Sequence, residues 1–278
     1  MAKGIALATG LNAVDPAHYG GWSGELLACE ADAQDMTDIA QSKGFEVTTL
    51  LTKQATRARV VQTITDAARA LQSGDIFMLS YSGHGGQLPD QNRDEVDAQD
   101  ETWCLYDGEL VDDEIYTLLS KFTHGVRILV FSDSCHSGTV TKLAFYRTAG
   151  KLVGLNEMAA GVRYRFMPPE VALRTYRLNK SFYDPILTNT ALKEGRDTVK
   201  ASVILISGCQ DNQLSADGTF NGLFTANLLQ VWSGGKFKQR YPAFHKAINA
   251  RMPPDQTPNY FRIGEQNLAF ERQAPFTI

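Results

Sequence analysis

Uninterrupted apolar runs alternate along this chain with stretches whose apolar positions recur every three to four residues. KGIALAT (3–9), FEVTTLL (45–51), DIFMLSYS (75–82), VRILVFS (126–132) and SVILIS (202–207) are runs of the first kind. Apolar strands that do not alternate are strands buried on both faces. Stretches of the second kind predict helices. One runs from about Gly24 to Lys43 and is closed by Gly44 in the position just past a helix end. Residues 56–72 carry Val60, Val61, Ile64, Ala67, Ala68 and Leu71 on one face. VDDEIYTLLSKF (111–122) and GLFTANLLQVW (222–232) follow the same pattern. Strands interleaved with helices predict an α/β fold of three layers, with a mostly parallel central sheet flanked by helices.

Two stretches break the alternation. Residues 86–101, GQLPDQNRDEVDAQDE, are acidic, polar and without period, which predicts an exposed loop. Residues 139–200 carry many Arg and Lys, two adjacent prolines and a patchy helical pattern. So long an irregular stretch inside a compact domain is usually functional or mobile. We read a single domain over 1–278. It has a front part (1–138), a basic insertion or linker (139–200) and a back part (201–278).

Composition removes several function classes. The 278 residues are 43% hydrophobic and 21% charged, with a net charge of −4. No basic domain is available to a phosphate backbone, so nucleic acid is not an expected partner. No stretch approaches the roughly 18 apolar residues of a membrane span. MAKGIALATG is too short for a signal segment, so a cytoplasmic protein is expected. Cys29, Cys104, Cys135 and Cys209 are widely spaced and form no CxxC, so free thiols are expected. No GxGxxG or Walker A motif is present, which argues against a nucleotide-binding α/β protein.

In parallel sheets ligands sit at the carboxyl ends of the strands. Two such ends carry chemistry here: YSGHGGQ after 75–82 and DSCHSGT after 126–132. Glycines on both sides of His84 allow a sharp turn and a close approach of substrate. Cys135 stands at the matching end of the next strand. A thiolate and an imidazole so placed can do nucleophilic catalysis, with nearby backbone N–H groups holding an oxyanion. Either residue alone would more often be a packed core side chain. A zinc site from Cys135, His136, Cys209 and His84 is the weaker reading, because the spacings match no familiar ligand pattern.

YSGHGGQ followed by DSCHSGT resembles the caspase-like peptidases, and within them the metacaspases and their bacterial relatives, the orthocaspases. ELLACEADAQDM (25–36), DEVDAQDET (94–102), VDDE (111–114) and SGCQDNQLSAD (207–217) extend the resemblance in the family's order. It touches most of 3–140 and 201–232. The resemblance implies a caspase-like (caspase/haemoglobinase) fold and a cysteine endopeptidase with a His84–Cys135 dyad. It implies an oxyanion hole from the N–H groups of Gly85 and Cys135. Metacaspases cut after Arg or Lys, and the family's pocket for that side chain maps onto Cys29, Asp32, Ser82 and Asp133. Carboxylates in a partly desolvated pocket suit such a cation. The residue-level alternatives are an ordinary helix-start acid for Asp32 and a turn residue for Asp133.

Calcium serves many metacaspases, and part of that site would fall on Asp112 and Asp113. This chain departs from the pattern after Cys135, where GTVTKL places Lys142 near an expected Asp. Asp90, Asn92, Asp94 and Glu101 have EF-hand-like spacing, but Glu95 stands where the loop needs Gly. No cofactor is therefore expected, with calcium activation as the alternative. The expected partners are peptides or proteins with a basic residue at the cut. They include the chain itself, whose basic 139–200 segment offers self-cleavage sites or a cover for the cleft, unless it is simply a solvated insertion. The rival reading is a catalytically silent caspase-like binding or scaffold module.

Overall fold

The computed structural model describes residues 2–89, 91, 99–134, 163–193, 195, 198–208, 216–218, 220–254 and 256–278. Cys135, His136, Lys142, Cys209 and most of the acidic 90–98 stretch lie outside these residues.

In chain order the first elements are β1 (Gly4–Gly10), α1 (Cys29–Ser42), β2 (Glu46–Leu51), α2 (Arg57–Ala70) and β3 (Ile76–Ser82). Then come β4 (Gly85–Pro89), β5 (Gln99–Leu105), β6 (Gly108–Val111), α3 (Asp112–Leu119) and β7 (Arg127–Asp133). The later part has β8 (Arg163–Tyr164), α4 (Pro169–Leu178), α5 (Lys180–Leu187), α6 (Thr190–Lys193), β9 (Ser202–Ser207) and β10 (Ala216–Asp217). The chain closes with α7 (Leu223–Trp232), α8 (Tyr241–Asn249), β11 (Asn259–Gly264) and α9 (Leu268–Arg272).

A six-stranded sheet runs β11-β9-β7-β3-β1-β2. All its pairs are parallel except β9 with β11. Alternate residues of one strand serve opposite faces. Leu7, Phe77, Leu79, Ile128, Val130 and Val203 pack with α2 and α3 on one side. Ala6, Ala8, Met78, Leu129, Phe131 and Ile204 pack with α1, α7 and α8 on the other. Both faces are apolar because both are covered, which is why the strands read as unbroken apolar runs. The three-layer α/β expectation holds.

The local differences have physical causes. The helix expected from about Gly24 starts at Cys29, because Gly24 sits at φ +53°, a left-handed turn that no helix continues. Gly44, at φ +87°, ends α1 as expected. Residues 86–101 are not one loop. Gly85–Pro89 pairs antiparallel with Gln99–Leu105, so both flanks of the acidic stretch are strand. β5 then turns back through Tyr106 and Asp107 into β6, giving a separate three-stranded sheet. Residues 163–193 are not a solvated insertion either. Met167, Val171 and Ala172 pack against Val14, Tyr19 and Cys104. Tyr183 is buried with Leu88, Val111 and Tyr176. No helix among the described residues is long and apolar enough to cross a membrane.

Candidate active site

Register builds the site. Ser82, the last residue of β3, pairs with Asp133, the last residue of β7. Both side chains emerge at the carboxyl edge of the sheet beside the first turn of α1, which supplies Cys29 and Asp32. The Ser82 hydroxyl donates to Asp32 at 2.8 Å. Cys29, Asp32, Ser82 and Asp133, drawn from three separate places in the sequence, therefore surround one space.

Arg165 fills that space. Its guanidinium is fully buried. Nη2 donates to Asp32 at 2.7 Å and to Asp217 at 2.9 Å. Nη1 lies 3.0 Å from the Asp133 carboxylate and donates to Ser82 Oγ at 2.8 Å. Three aspartates thus enclose one cation. Burial works against the charge on Arg165, but the carboxylates of Asp133, Asp32 and Asp217 outweigh it and hold its pKa well above the ordinary value. Burial pushes the Asp32 carboxyl up, Arg165 pulls it down, and Asp133 adds to the push.

The start of α7 supports the carboxylates from behind. Gly222 N–H donates to Asp32 at 3.0 Å, and Thr225 donates to Asp133 through both N–H and hydroxyl, at 3.2 and 2.7 Å. A helix start offers free N–H groups and a favourable dipole to anions. A Cβ on Gly222 would stand 2.5 Å from Arg165 Nη1, so only glycine lets a guanidinium lie flat there.

His84 lies next to this pocket, 5% exposed. Its Nε2 hydrogen-bonds the carbonyl of Gly24 at 2.9 Å. The left-handed turn at Gly24 aims that carbonyl. The imidazole sits 4.7 Å from the Trp22 ring. Nδ1 is buried and without a hydrogen-bond partner among the described residues. Burial drives the pKa of His84 down to about 4, against the opposing pull of the Gly24 backbone. The ring is therefore neutral at physiological pH, with a bare acceptor nitrogen, which is the form a general base needs.

Gly85 N–H donates to the carbonyl oxygen of Arg165 at 3.0 Å, and Gly85 O accepts from Met167 N–H at 2.7 Å. Cys135 follows Ser134 at the end of β7 but lies outside the described residues. Both described cysteines are buried free thiols, Cys29 and Cys104. Burial pushes each thiol up, so neither supplies a thiolate.

The sequence matches the family described as Caspase domain over residues 3–273. This chain belongs to the caspase-domain family. Metacaspase-1 of Schizosaccharomyces pombe is 33% identical over 254 residues, which cover 82% of this chain and 58% of the relative. Metacaspase-1 of Mycosarcoma maydis is 30% identical, covering 81% and 60%. The chain thus spans less than two thirds of these curated relatives. The crystal structure of protein GSU0716 from Geobacter sulfurreducens superposes at a TM-score of 0.90, with 62% identity and 99% coverage of both chains. Caspase-1 from Spodoptera frugiperda, at 10% identity and a TM-score of 0.56, shares the fold, covering 99% of this chain and 90% of that one.

Within this caspase-domain chain, three parts of the cluster escaped the sequence reading. Asp217 ends the SGCQDNQLSAD stretch, but nothing local marks it as facing a cation 52 residues away in sequence. Gly24 acts through its carbonyl, which has no sequence signature. Arg165 is one basic residue among many in its segment. At the possible metal site, burial pushes the Asp112 carboxyl well up, and Glu101, Asp113 and Asp100 push it the same way. These oxygen donors suit a hard cation in kind. Yet among the described residues no three His, Cys, Asp or Glu side chains converge on one ion position.

Proposed function

We propose that this protein is a cysteine endopeptidase that hydrolyses peptide bonds after Arg or Lys. The observation that carries the reading is the seat of Arg165. Asp32, Asp133, Asp217 and Ser82 receive a guanidinium at hydrogen-bond distance beside the buried, neutral imidazole of His84. A buried cluster of three carboxylates requires a cation, and the planar fork of Arg satisfies two or three of them at once.

In this reading Cys135 is the nucleophile. His84 Nδ1 takes the thiol proton, and the thiolate attacks the carbonyl carbon of the basic residue. The Gly85 N–H stabilises the oxyanion. The imidazolium then protonates the leaving amine, and water hydrolyses the thioester with His84 as base. Trp22 keeps water from the ring. The reaction as written requires no cofactor. Asp112 and Asp113, with Asp100 and Glu101 behind them, are the donors available to calcium, so the assay carries a calcium arm.

The test is turnover of fluorogenic peptides ending in Arg, Lys or Asp, with and without calcium, beside Cys135→Ala. Release from Arg and Lys peptides, lost in the variant, is expected. Release from Asp peptides, or undiminished activity in Cys135→Ala, would overturn the reading.

A further inference from the structure

We propose that the peptide bond between Arg165 and Phe166 is this chain's own substrate, cut by Cys135. The inference rests on the peptidase reading above and adds which bond is cut.

A buried ion cluster alone would explain the guanidinium of Arg165 but not its backbone. The backbone is bound as a substrate would be, on both sides of one peptide group. Upstream, Arg163 and Tyr164 pair antiparallel with Asp217 and Ala216 as a short strand. At the centre, the Arg165 carbonyl accepts from Gly85 N–H at 3.0 Å, the donor expected to hold an oxyanion. Downstream, Phe166 bridges to Gly85, and Met167 N–H donates to the Gly85 carbonyl at 2.7 Å. The Phe166 backbone is also close enough to His84 to oppose the fall in its pKa. The side chain, the carbonyl and the following amide therefore occupy the pocket, the oxyanion donor and the neighbourhood of the base together.

The assignment separates Arg165 from its neighbours. Arg163, Arg174, Arg177 and Lys180 come from the same basic segment, and all four are exposed. None has a carboxylate-lined seat. The two sides of the bond are also anchored unequally. Met167, Val171 and Ala172 fix the Phe166 side in an apolar cluster. The Arg165 side is held by the pocket and the two-residue strand pair, which an incoming basic peptide can replace.

The step balances without an external oxidant or reductant. The Cys135 sulfur bonds to the Arg165 carbonyl carbon, and the carbon–nitrogen bond to Phe166 breaks. The Phe166 nitrogen takes a proton from His84. Water then splits the thioester, leaving a carboxylate on Arg165 and a thiol on Cys135.

The full chain is purified and incubated with and without calcium, and fragments are identified by mass and by N-terminal sequencing. Cys135→Ala, Arg165→Gln and Arg165→Lys are run in parallel, each beside turnover of an external Arg peptide. A fragment beginning Phe166-Met167-Pro168 is expected from the wild type and from Arg165→Lys. It should be absent from Cys135→Ala and Arg165→Gln. An intact 165–166 bond in the wild type overturns the proposal under any condition. External turnover in that sample leaves the peptidase reading standing, whereas no turnover takes it down as well. A Phe166 fragment that persists in Cys135→Ala assigns the cut to another protease and also overturns the proposal.

Discussion

Gly24 accepts a hydrogen bond from His84 Nε2 at 2.9 Å, so the proton of the neutral ring sits on Nε2 and the lone pair on Nδ1. Because the pKa of the covered ring is about 4, protonation removes the base only in distinctly acid solution. We expect kcat, which reports the substrate-filled enzyme, to hold from neutral pH downward and fall only toward pH 4. Trp22→Ala should move the kcat limb upward by admitting water. A kcat limb already near 6.5, the ordinary value, in the wild type would contradict this account.

Gly222 sets the room for the guanidinium. Its φ of −59° suits alanine, so Gly222→Ala should fold, yet the new methyl would press on Arg165 and on any substrate Arg. We expect kcat/KM for Arg peptides to drop by about tenfold or more, a loss of one charge-assisted hydrogen bond. Lys peptides, whose compact ammonium does not need the flat slot, should lose less. Equal losses for the two would count against a seat shaped for a planar cation.

Asp217 holds two fixed donors at once. It accepts from Arg165 through Oδ1 and from Leu27 N–H through Oδ2 at 2.7 Å. Asp217→Asn keeps the shape and removes the charge. KM for basic peptides should rise by roughly 10- to 100-fold, with kcat changed much less, because the lost contact binds ground state and transition state alike. Steady-state kinetics on Arg and Lys peptides decide it.

Glu109 supplies a prediction away from the chemistry. Burial raises its carboxyl to about 8, with Thr102 and Tyr183 pulling the other way. Thr102 Oγ1 donates to one oxygen at 2.6 Å, and the other oxygen is buried with no hydrogen-bond partner among the described residues. The folded state binds a proton that the unfolded chain gives up near 4.5. Stability is then fully present below 4.5 and is lost as pH rises toward 8. Glu109→Gln mimics the protonated acid. It should match the wild type in urea unfolding at pH 4 and exceed it at pH 8 by ~2–4 kcal/mol.

The layers of this fold were readable because burial on both faces leaves a simple trace. Phe77, Met78 and Leu79 are apolar in succession since helices cover them from opposite sides. The β5–β6 hairpin was harder. Asp100, Glu101 and Asp107 give its neighbourhood the look of a polar loop, although Asp100 and Thr102 are buried. His84, Ser82 and Asp133 stand at or just past strand ends, where topology concentrates ligands, whereas Cys29 and Asp32, in the first turn of α1, were reachable only through the family resemblance. Arg165 could not be placed. A basic residue is ordinarily exposed, and this one is buried only because α1, β7 and β10, far apart in the chain, each bring it an aspartate.

The seating of Arg165 also fixes how the protein should respond to dilution. A ligand carried on the same polypeptide acts at an effective concentration of about millimolar, whatever the number of molecules in solution. The lifetime of the intact chain should then be the same in a dilute and in a concentrated sample. Until the bond is broken, a visiting peptide competes with an occupant that never diffuses away.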